Sequence, residues 1–292
     1  MRGRIVKGIG GFYYVHSIES DNIYQCRARG IFKKDGIIPI VGDWVEFEVL
    51  DDGDGVVNKI LKRANEFVRP AISNVDQLLV VMAFNNPEPN LRIIDRLLVM
   101  AEKSHTQGML VMNKIDLSNK EQRDRIYSIY NELYPIFYVN GLTGDGIEPL
   151  RDALYGKSTA LAGPSGVGKS TLLNDLKPLA QAEVGGLSRK TSRGKHTTRH
   201  VEIYELSPYT FLFDTPGFTN FDILEAEPDQ LQFYYPEMAE FIGDCRFDNC
   251  RHIDEPGCAV QEGANQGTIK VTRYDSYKDQ MSEILEKEKN RY

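Results

Sequence analysis

The sequence predicts a multidomain protein with an N-terminal β-barrel, a central α/β domain and a mostly α C-terminal domain. Three regions of different pattern along the 292 residues support this division. Short β-forming segments fill residues 1–70, and apolar and amphipathic segments alternate over residues 71–221. Residues 222–292 lose strand character and contain three of the four cysteines. A chain of this length is also too long for one small domain.

The N-terminal region alternates β-forming and polar residues in about five short segments, separated by turns rich in Gly, Asp and Asn. So many short strands in so few residues indicate a small barrel, and the oligonucleotide-binding (OB) fold is the commonest solution. Tyr13, Tyr14 and Tyr24 lie near Arg27 and Arg29 in sequence. These tyrosines either stack nucleic-acid bases or fill the barrel core. Residues 65–70 are expected to form a linker.

From Asn74 the chain alternates apolar runs with amphipathic segments. Residues 75–84 are almost continuously apolar, as a buried parallel strand is. Residues 91–100 repeat apolar side chains at helical spacing. Further strands are expected at 108–112, 136–139, 158–162, 201–206 and 210–213, and helices at 121–133, 231–242 and 271–288. The central alternation is typical of a doubly wound α/β sheet.

Residues 163–170 match the phosphate-loop pattern G-x-x-x-x-G-K-[ST] at every fixed position, between an expected strand and an expected helix. The glycines let backbone N–H groups converge on phosphate oxygens, and the helix N-terminus adds partial positive charge. Lys169 is expected to reach the β- and γ-phosphates, and the Ser170 hydroxyl to complete the shell of a Mg²⁺ ion. The predicted phosphate-binding residues are Gly163, Pro164, Ser165, Gly166, Val167, Gly168, Lys169, Ser170 and Thr171.

Asn113-Lys114-Ile115-Asp116 directly follows an apolar segment that ends at Met112. The Asp116 carboxylate can accept from both N1–H and the exocyclic amine of guanine, whereas adenine presents neither donor on this edge. A site built on such hydrogen bonds rejects the analogue that lacks them by orders of magnitude. The segment therefore predicts guanine recognition. The alternative is a turn at a helix start, capped by Asp116 or Ser118.

Asp214-Thr215-Pro216-Gly217 follows the apolar segment 211–213. An Asp at such a strand end holds Mg²⁺, usually through water, and the Gly217 N–H can meet the γ-phosphate. Thr197 and Thr198, in the basic loop before this strand, are both candidates to bind Mg²⁺ when the γ-phosphate is present. Thr198 is taken as the Mg²⁺ ligand, although the sequence does not separate the two.

Phe218 stands where many GTPases carry a Gln that orients the attacking water, so slow intrinsic hydrolysis and stimulation by a partner are expected. His196 is the candidate in cis for orienting that water. The alternative is a histidine that is solvated or faces RNA. With Lys169 and Thr198, His196 completes the predicted catalytic set.

The order of these motifs is unusual. Asn113 precedes Gly163, whereas ordinary GTPases place the guanine motif downstream of the phosphate loop. All strands of the sheet are still present, so the sequence predicts a circularly permuted α/β P-loop GTPase domain. Such a rearrangement is allowed when the former termini lie close together.

With this order, an N-terminal barrel and a Cys/His segment near the C-terminus, the chain resembles the RsgA family of ribosome small-subunit-dependent GTPases over its whole length. The resemblance implies a ribosome biogenesis factor that binds rRNA in late maturation of the small ribosomal subunit, with GTPase activity stimulated by that subunit. The family's motifs correspond to Asn113, Lys114 and Asp116 for guanine, residues 163–171 for phosphate, Thr197 and Thr198 for the switch, Asp214 for magnesium and His196 before the threonines. One departure is the loop that backs the base, usually Ser-Ala-x, which here is Asn140-Gly141-Leu142.

Cys245, Cys250, His252 and Cys258 place four metal ligands within a short segment. Clustered thiols in a cytosolic protein indicate a metal before a disulfide. Three thiolates and one imidazole would form a closed tetrahedral site, so one structural zinc ion is expected. The alternative is that the cysteines are reduced thiols in the core. The RsgA-like family has the same Cys and His motif, which favours zinc.

The net charge of −7 argues against a protein that coats nucleic acid indiscriminately. Two basic groups on this acidic body are typical of a specific RNA surface, or are simply solvated loops. They are Arg27, Arg29, Lys33 and Lys34, and Arg189, Lys190, Arg193, Lys195 and Arg199. No apolar run approaches the ~20 residues that span a bilayer, and the N-terminus lacks a signal-peptide core. A cytoplasmic monomer without a membrane partner is therefore expected.

Two other functions fit part of the sequence. The segment Gly163–Lys169 also resembles the phosphate loop of guanylate kinases, but a kinase needs neither the guanine motif nor the Asp214 motif. A non-catalytic GTP-binding RNA scaffold is the other alternative, against which Lys169 and Ser170 argue. The leading prediction is a GTP-hydrolysing enzyme that uses Mg²⁺ and passes between GTP- and GDP-bound forms.

Overall fold

The computed structural model describes residues 1–30, 32, 36–51, 53–177, 201–215 and 226–290. The strands are β1 Arg2–Ile9, β2 Phe12–Ser17, β3 Ile23–Ala28, β4 Trp44–Val49, β5 Gly55–Ile60, β6 Glu66–Phe67, β7 Ile72–Ser73, β8 Gln77–Ala83, β9 Gln107–Asn113, β10 Ile136–Tyr138, β11 Ser158–Ala162, β12 Glu202–Ser207 and β13 Thr210–Asp214. The helices are α1 Leu91–Lys103, α2 Lys120–Tyr130, α3 Ile147–Leu154, α4 Lys169–Leu176, α5 Ala259–Gln266 and α6 Val271–Lys289. Short 3₁₀ helices span Ile115–Leu117, Leu231–Tyr234 and Pro236–Phe241.

The described residues form two compact units. The first comprises Met1–Leu79, Gly141–Ala162 and the described residues from Lys169 to 215. The second comprises Val80–Asn140, Gly163–Gly168 and the described residues from 226 onward. The domain boundaries after residues 70 and 221 remain predictions.

The first unit begins with a closed five-stranded barrel. Its strands follow the order β1-β2-β3-β5-β4, and β4 pairs back onto β1. All neighbouring strands are antiparallel except β3 and β5, which run parallel. Ile5, Val15, Val45 and Val57 point inward from four of the strands and are completely buried. A closed barrel leaves no free strand edge, which is the solution expected for this N-terminal region.

Strand β1 continues beyond the barrel into a second set of strands in the same unit. It pairs with β12 at Lys7 and Glu202, β12 pairs antiparallel with β13, and β13 pairs parallel with β11. Strands β11 and β13 are buried almost throughout, as their apolar sequences predict. Their carboxyl ends lead to Gly163 and to Asp214.

The second unit contains β10, β9 and residues 80–83 of β8, in that order, with β10 and β9 parallel. Helix α1 is capped by the Asn90 side chain, and its Leu97 and Leu98 are completely buried. The C-terminal residues form an apolar cluster with Val99 of α1. Its members include Leu231, Tyr235, Met238, Val260, Ile269, Tyr277 and Met281.

Two local expectations hold only in part. The helix expected at 231–242 is two 3₁₀ helices, because Pro236 disfavours helical geometry at the preceding residue and Tyr235 is extended (φ −117°, ψ 94°). Part of the expected linker at 65–70 is β6, which pairs with β7. Phe67 is 4% exposed, so burial of its ring holds this segment in place.

Candidate nucleotide and metal sites

The guanine motif and the glycine-rich part of the phosphate loop lie in the second unit and contact each other directly. Asn113, the last residue of β9, donates from Nδ2 to the Val167 carbonyl at 2.9 Å. Lys114 donates from Nζ to the Gly166 carbonyl at 2.8 Å and also to the Asn86 carbonyl. Two consecutive residues of the guanine motif therefore hold the phosphate loop by its backbone.

The glycines of the loop are required by this close approach. Gly168 has φ +95°, and a Cβ there would overlap the Asn113 side-chain amide. Gly163 has φ +143°, and a Cβ there would overlap the Val81 carbonyl. A larger residue at either position would push the loop off the strand or off the guanine motif.

Asp116 is presented by an abrupt change in backbone direction after β9. Lys114 adopts the left-handed conformation (φ 57°, ψ 45°) and caps the 3₁₀ helix Ile115–Leu117. The Asp116 carboxylate accepts from Asn140 Nδ2 at 3.0 Å. Asn140 is 6% exposed and Asp116 is exposed, so a buried donor holds a carboxylate at the surface. The sequence did not predict this hydrogen bond, because Asn140 stands out there only as a departure from the family's Ser-Ala-x pattern.

Lys169 and Asp214 interact electrostatically in the first unit. Burial lowers the pKa of the Lys169 ammonium, and the Asp214 carboxylate opposes that shift. Burial raises the pKa of Asp214, and the charge of Glu202 raises it further, whereas Lys177 and Lys169 lower it. Thr215 donates from Oγ1 to the Leu161 carbonyl at 2.5 Å, which ties the end of β13 to β11.

The oxygen donors of this region suit a magnesium ion. Mg²⁺ binds hard oxygen ligands, commonly one or two protein groups together with substrate phosphates. Asp214 offers a carboxylate at the end of a buried strand, and Ser170, in the first turn of α4, is exposed. The residues present therefore fit a Mg²⁺ ion that is shared with a nucleotide.

Several predicted residues lie outside the described part of the chain. They are His196, Thr197, Thr198, Gly217, Phe218, Lys33, Lys34 and the basic stretch from Arg189 to Arg199. Their assignments remain predictions.

Cys245, Cys250, His252 and Cys258 converge in the second unit. One ligand atom from each lies within 4.8 Å of the others. His252 Nδ1 is 3.5 Å from Cys245 Sγ and 3.4 Å from Cys258 Sγ. His252 Nε2 lies 2.8 Å from Gln232 Oε1, an arrangement that leaves Nδ1 to face the sulfurs.

The chemistry of this donor set fits zinc. Burial raises the pKa of the Cys250 thiol to about 12, so a cation is needed to hold its thiolate at neutral pH. Three sulfurs and one imidazole nitrogen satisfy a tetrahedral ion and leave no open position, which is the pattern of a structural site.

In the tyrosine and arginine group of the barrel, Tyr24 contacts Phe47, with ring centroids 5.5 Å apart. The Arg27 guanidinium lies over the Phe12 ring, 4.7 Å from its centroid. Tyr13 and Tyr14 are half-buried. Both the packing role and the stacking role that the sequence left open are therefore compatible with these contacts.

Comparison with known proteins identifies the family of the chain. The RsgA GTPase model matches residues 60–224, and the RsgA N-terminal domain model matches residues 2–57. The small ribosomal subunit biogenesis GTPase RsgA of Agathobacter rectalis is 42% identical, over 99% of this chain and all of that protein. The protein of the same name from Clostridium kluyveri is 44% identical over 99% of this chain and all of that protein.

Two solved structures also match this chain over nearly its whole length. YjeQ from Thermotoga maritima has a TM-score of 0.83 and 34% identity, and the match covers 97% of this chain and 98% of that chain. YloQ, described as a circularly permuted GTPase, has a TM-score of 0.80 and 34% identity over 98% of this chain and 95% of that chain. The chain therefore belongs to the RsgA GTPase family.

Proposed function

We propose that this protein hydrolyses GTP as a biogenesis factor that binds the maturing small ribosomal subunit and is stimulated by it. The observation that carries the proposal is the contact between Asn113 and Val167, which joins a guanine motif to a phosphate loop within one compact unit. The names of the relatives, which are small ribosomal subunit biogenesis GTPases, supply the partner. A nucleotide kinase is not favoured, because those relatives are GTPases over their full length.

In this proposal Asn113, Lys114, Ile115 and Asp116 bind guanine, and residues 163–171 cradle the phosphates with Lys169 on the β- and γ-phosphates. Water attacks the γ-phosphorus, the β–γ bond breaks, and GDP and inorganic phosphate are released. A bound Mg²⁺ would neutralise charge on the β- and γ-phosphate oxygens. Ser170 and Asp214 would hold the ion, and Thr198 would join them while the γ-phosphate is present. His196 orients the water, and the Gly217 N–H contacts the γ-phosphate.

The barrel and the basic stretch 189–199 bind rRNA, and the protein acts as a monomer in the cytoplasm. Arg27 and Arg29 on β3 and just beyond it supply positive charge on an otherwise acidic protein. None of the described helices combines the length and apolarity that crossing a membrane requires.

The decisive experiment compares GTP turnover alone, with isolated small subunits and with isolated large subunits. A rise in rate with small subunits only is expected, because no Gln follows the Asp214 motif to orient water in the free protein. Equal rates in the three conditions would contradict the assembly role. No turnover in any of them would instead favour the non-catalytic scaffold, and transfer of phosphate to GMP would favour the kinase.

A second experiment tests the base site. Substituting Asp116→Asn replaces a double acceptor with a group that also donates, so the preference is expected to move from guanine toward xanthine nucleotides. Competition binding with GDP and XDP measures the change. An unchanged preference would mean that the base is read elsewhere.

We further propose that the Cys245, Cys250, His252 and Cys258 cluster binds one structural Zn²⁺. Mutating Cys258→Ser removes a ligand that also caps α5 through its Sγ, so loss of zinc and of C-terminal helix is expected. Elemental analysis and circular dichroism measure both. Cys26→Ala, in the barrel, is the matched control and should retain one zinc per chain; equal zinc content in the two variants would contradict the assignment.

A further inference from the structure

Three charged side chains form a row across three strands of the first unit. Lys7 of β1 is paired directly with Glu202 of β12, and Glu202 is paired directly with Asp214 at the end of β13. Directly opposite residues of antiparallel strands project from the same face of the sheet, with Cβ atoms about 5 Å apart. Glu202 therefore lies between Lys7 of the barrel and Asp214, the carboxylate that the proposed function assigns to magnesium.

Both oxygens of the Glu202 carboxylate are held. Lys7 Nζ lies 3.1 Å from Glu202 Oε1, and the Tyr204 hydroxyl donates to Glu202 Oε2 at 3.2 Å. The side chains of Lys7 and Glu202 are each 32% exposed, so water screens the pair only in part. The pairing of β1 with β2 shifts register between Ile5 and Lys7, and such an irregularity re-aims the side chain that follows it.

The pairing of Glu202 with Asp214 carries an electrostatic cost for the fold. Like charges directly opposite each other on neighbouring strands are destabilising, and Glu202 and Asp214 are such a pair. Lys177 offsets part of this repulsion through its electrostatic interaction with both carboxylates. Departures from local rules concentrate at functional sites, and a second carboxylate beside a cation ligand strengthens the attraction for a divalent ion.

We propose that Glu202 is a positioning residue that raises the Mg²⁺ affinity of the nucleotide site through its charge beside Asp214, and that Lys7 of the barrel limits this effect. The inference rests on the proposed function, since it requires Asp214 to hold the ion. Through Lys7 the barrel therefore influences the nucleotide site. A partner that displaces Lys7 from Glu202 raises the affinity of that site for Mg²⁺.

The test measures Mg²⁺ affinity rather than turnover. The probe is N-methylanthraniloyl-GDP bound to the full chain, and the readout is the free Mg²⁺ concentration that halves its dissociation rate. Mutating Glu202→Gln keeps an acceptor for Tyr204 but removes the charge, so this concentration is expected to rise about three- to tenfold. Mutating Lys7→Met exposes the charge of Glu202, so the concentration is expected to fall by a similar factor.

The double variant separates a charge effect from a general disturbance. Because Lys7 acts only through Glu202, the double variant with Lys7→Met and Glu202→Gln is expected to match Glu202→Gln alone. Two matched controls are Glu205→Gln, on the same strand opposite Phe211, and Lys59→Met, in the barrel opposite Glu46. Both controls are expected to leave the Mg²⁺ dependence unchanged.

Two results would overturn the inference: an unchanged Mg²⁺ dependence in Glu202→Gln, or a Lys7→Met shift that persists when Glu202 is already Gln. The Asp214→Asn variant distinguishes this failure from failure of the proposed site. If Asp214→Asn leaves the Mg²⁺ dependence intact, the magnesium assignment and this inference are both wrong. If it abolishes the dependence while Glu202→Gln has no effect, only this inference is wrong. The Lys7→Met variant supplies a readout even if Glu202→Gln unfolds.

Discussion

Two side-chain amides hold the segment proposed to recognise guanine. Asn113 Nδ2 donates to the Val167 carbonyl at 2.9 Å, and Asn140 Nδ2 donates to the Asp116 carboxylate at 3.0 Å. Both asparagines are nearly fully buried. A hydrogen bond to a charged acceptor contributes about 1.5–3 kcal/mol. The orientation of Asp116 therefore depends on a residue from a different loop.

Mutating Asn140→Ala removes the donor that holds Asp116. The expected result is about tenfold weaker GDP binding and a smaller preference for GDP over ADP, since the carboxylate loses its orientation. Equilibrium binding with a fluorescent nucleotide measures both. Leu142→Ala in the same loop, where the side chain is 85% exposed, is expected to change neither, and equal affinities for the two variants would contradict the role of Asn140.

Helices α1 and α6 of the second unit are joined by ion pairs at very different depths. Arg273 Nη1 binds Asp95 Oδ1 at 2.8 Å, and its Nε and Nη2 bind the two oxygens of Glu237 at 2.6 and 3.1 Å. The side chain of Arg273 is 1% exposed. Arg92 binds Asp279 at 2.9 Å, but these side chains are 71% and 42% exposed. Burial rather than distance distinguishes the two pairs.

Removing one partner of a buried ion pair strands the remaining charge, whereas an exposed pair is screened by water. Arg273→Met is therefore expected to lower the free energy of unfolding by about 3–5 kcal/mol, and Arg92→Met by less than about 1 kcal/mol. Urea denaturation followed by circular dichroism measures both. Similar losses for the two variants would show that the buried network is not what joins the helices.

At the scale of the molecule, the barrel packs against the strands that lead to the proposed nucleotide-binding residues. Arg4 of β1 is 1% exposed and donates to the Ser158 hydroxyl and the Asn74 carbonyl, each at 2.8 Å. Its guanidinium also lies over the rings of Trp44, Phe211 and Phe213. Burial lowers the pKa of Arg4 to about 10, so it stays charged at neutral pH. The barrel therefore belongs to the same compact unit as β11 and β13.

The single tryptophan reports whether the barrel unfolds together with β11 and β13. Trp44 lies on β4 of the barrel and contacts Phe211 of β13 edge-on, with ring centroids 6.5 Å apart. If the unit unfolds cooperatively, GDP with Mg²⁺ at 100 times its Kd is expected to stabilise the transition seen by Trp44 fluorescence by about 2.7 kcal/mol. ATP with Mg²⁺ at the same concentration should not. A nucleotide shift visible by circular dichroism but not by Trp44 would mean that the barrel unfolds separately.

Much of the fold was predictable because its signals are local. The phosphate loop, the guanine motif and the Cys/His segment are short patterns, and their order along the chain indicated the circular permutation. The comparisons confirm the family and the fold class. The segment 231–242 is helical but divides into two 3₁₀ helices, because hydrophobic spacing does not report the extended geometry of Tyr235 before Pro236.

The sequence by itself determined the chemistry: which residue types can bind phosphate, guanine, magnesium and zinc, and in which order they occur. Only the tertiary structure decided which distant residues support them. Asn140 donates a hydrogen bond to Asp116, and Lys7 lies opposite Glu202 on the neighbouring strand. The physical reason is that such contacts depend on strand register and loop packing between segments far apart in the chain. A single side chain carries no local pattern that reveals its partner.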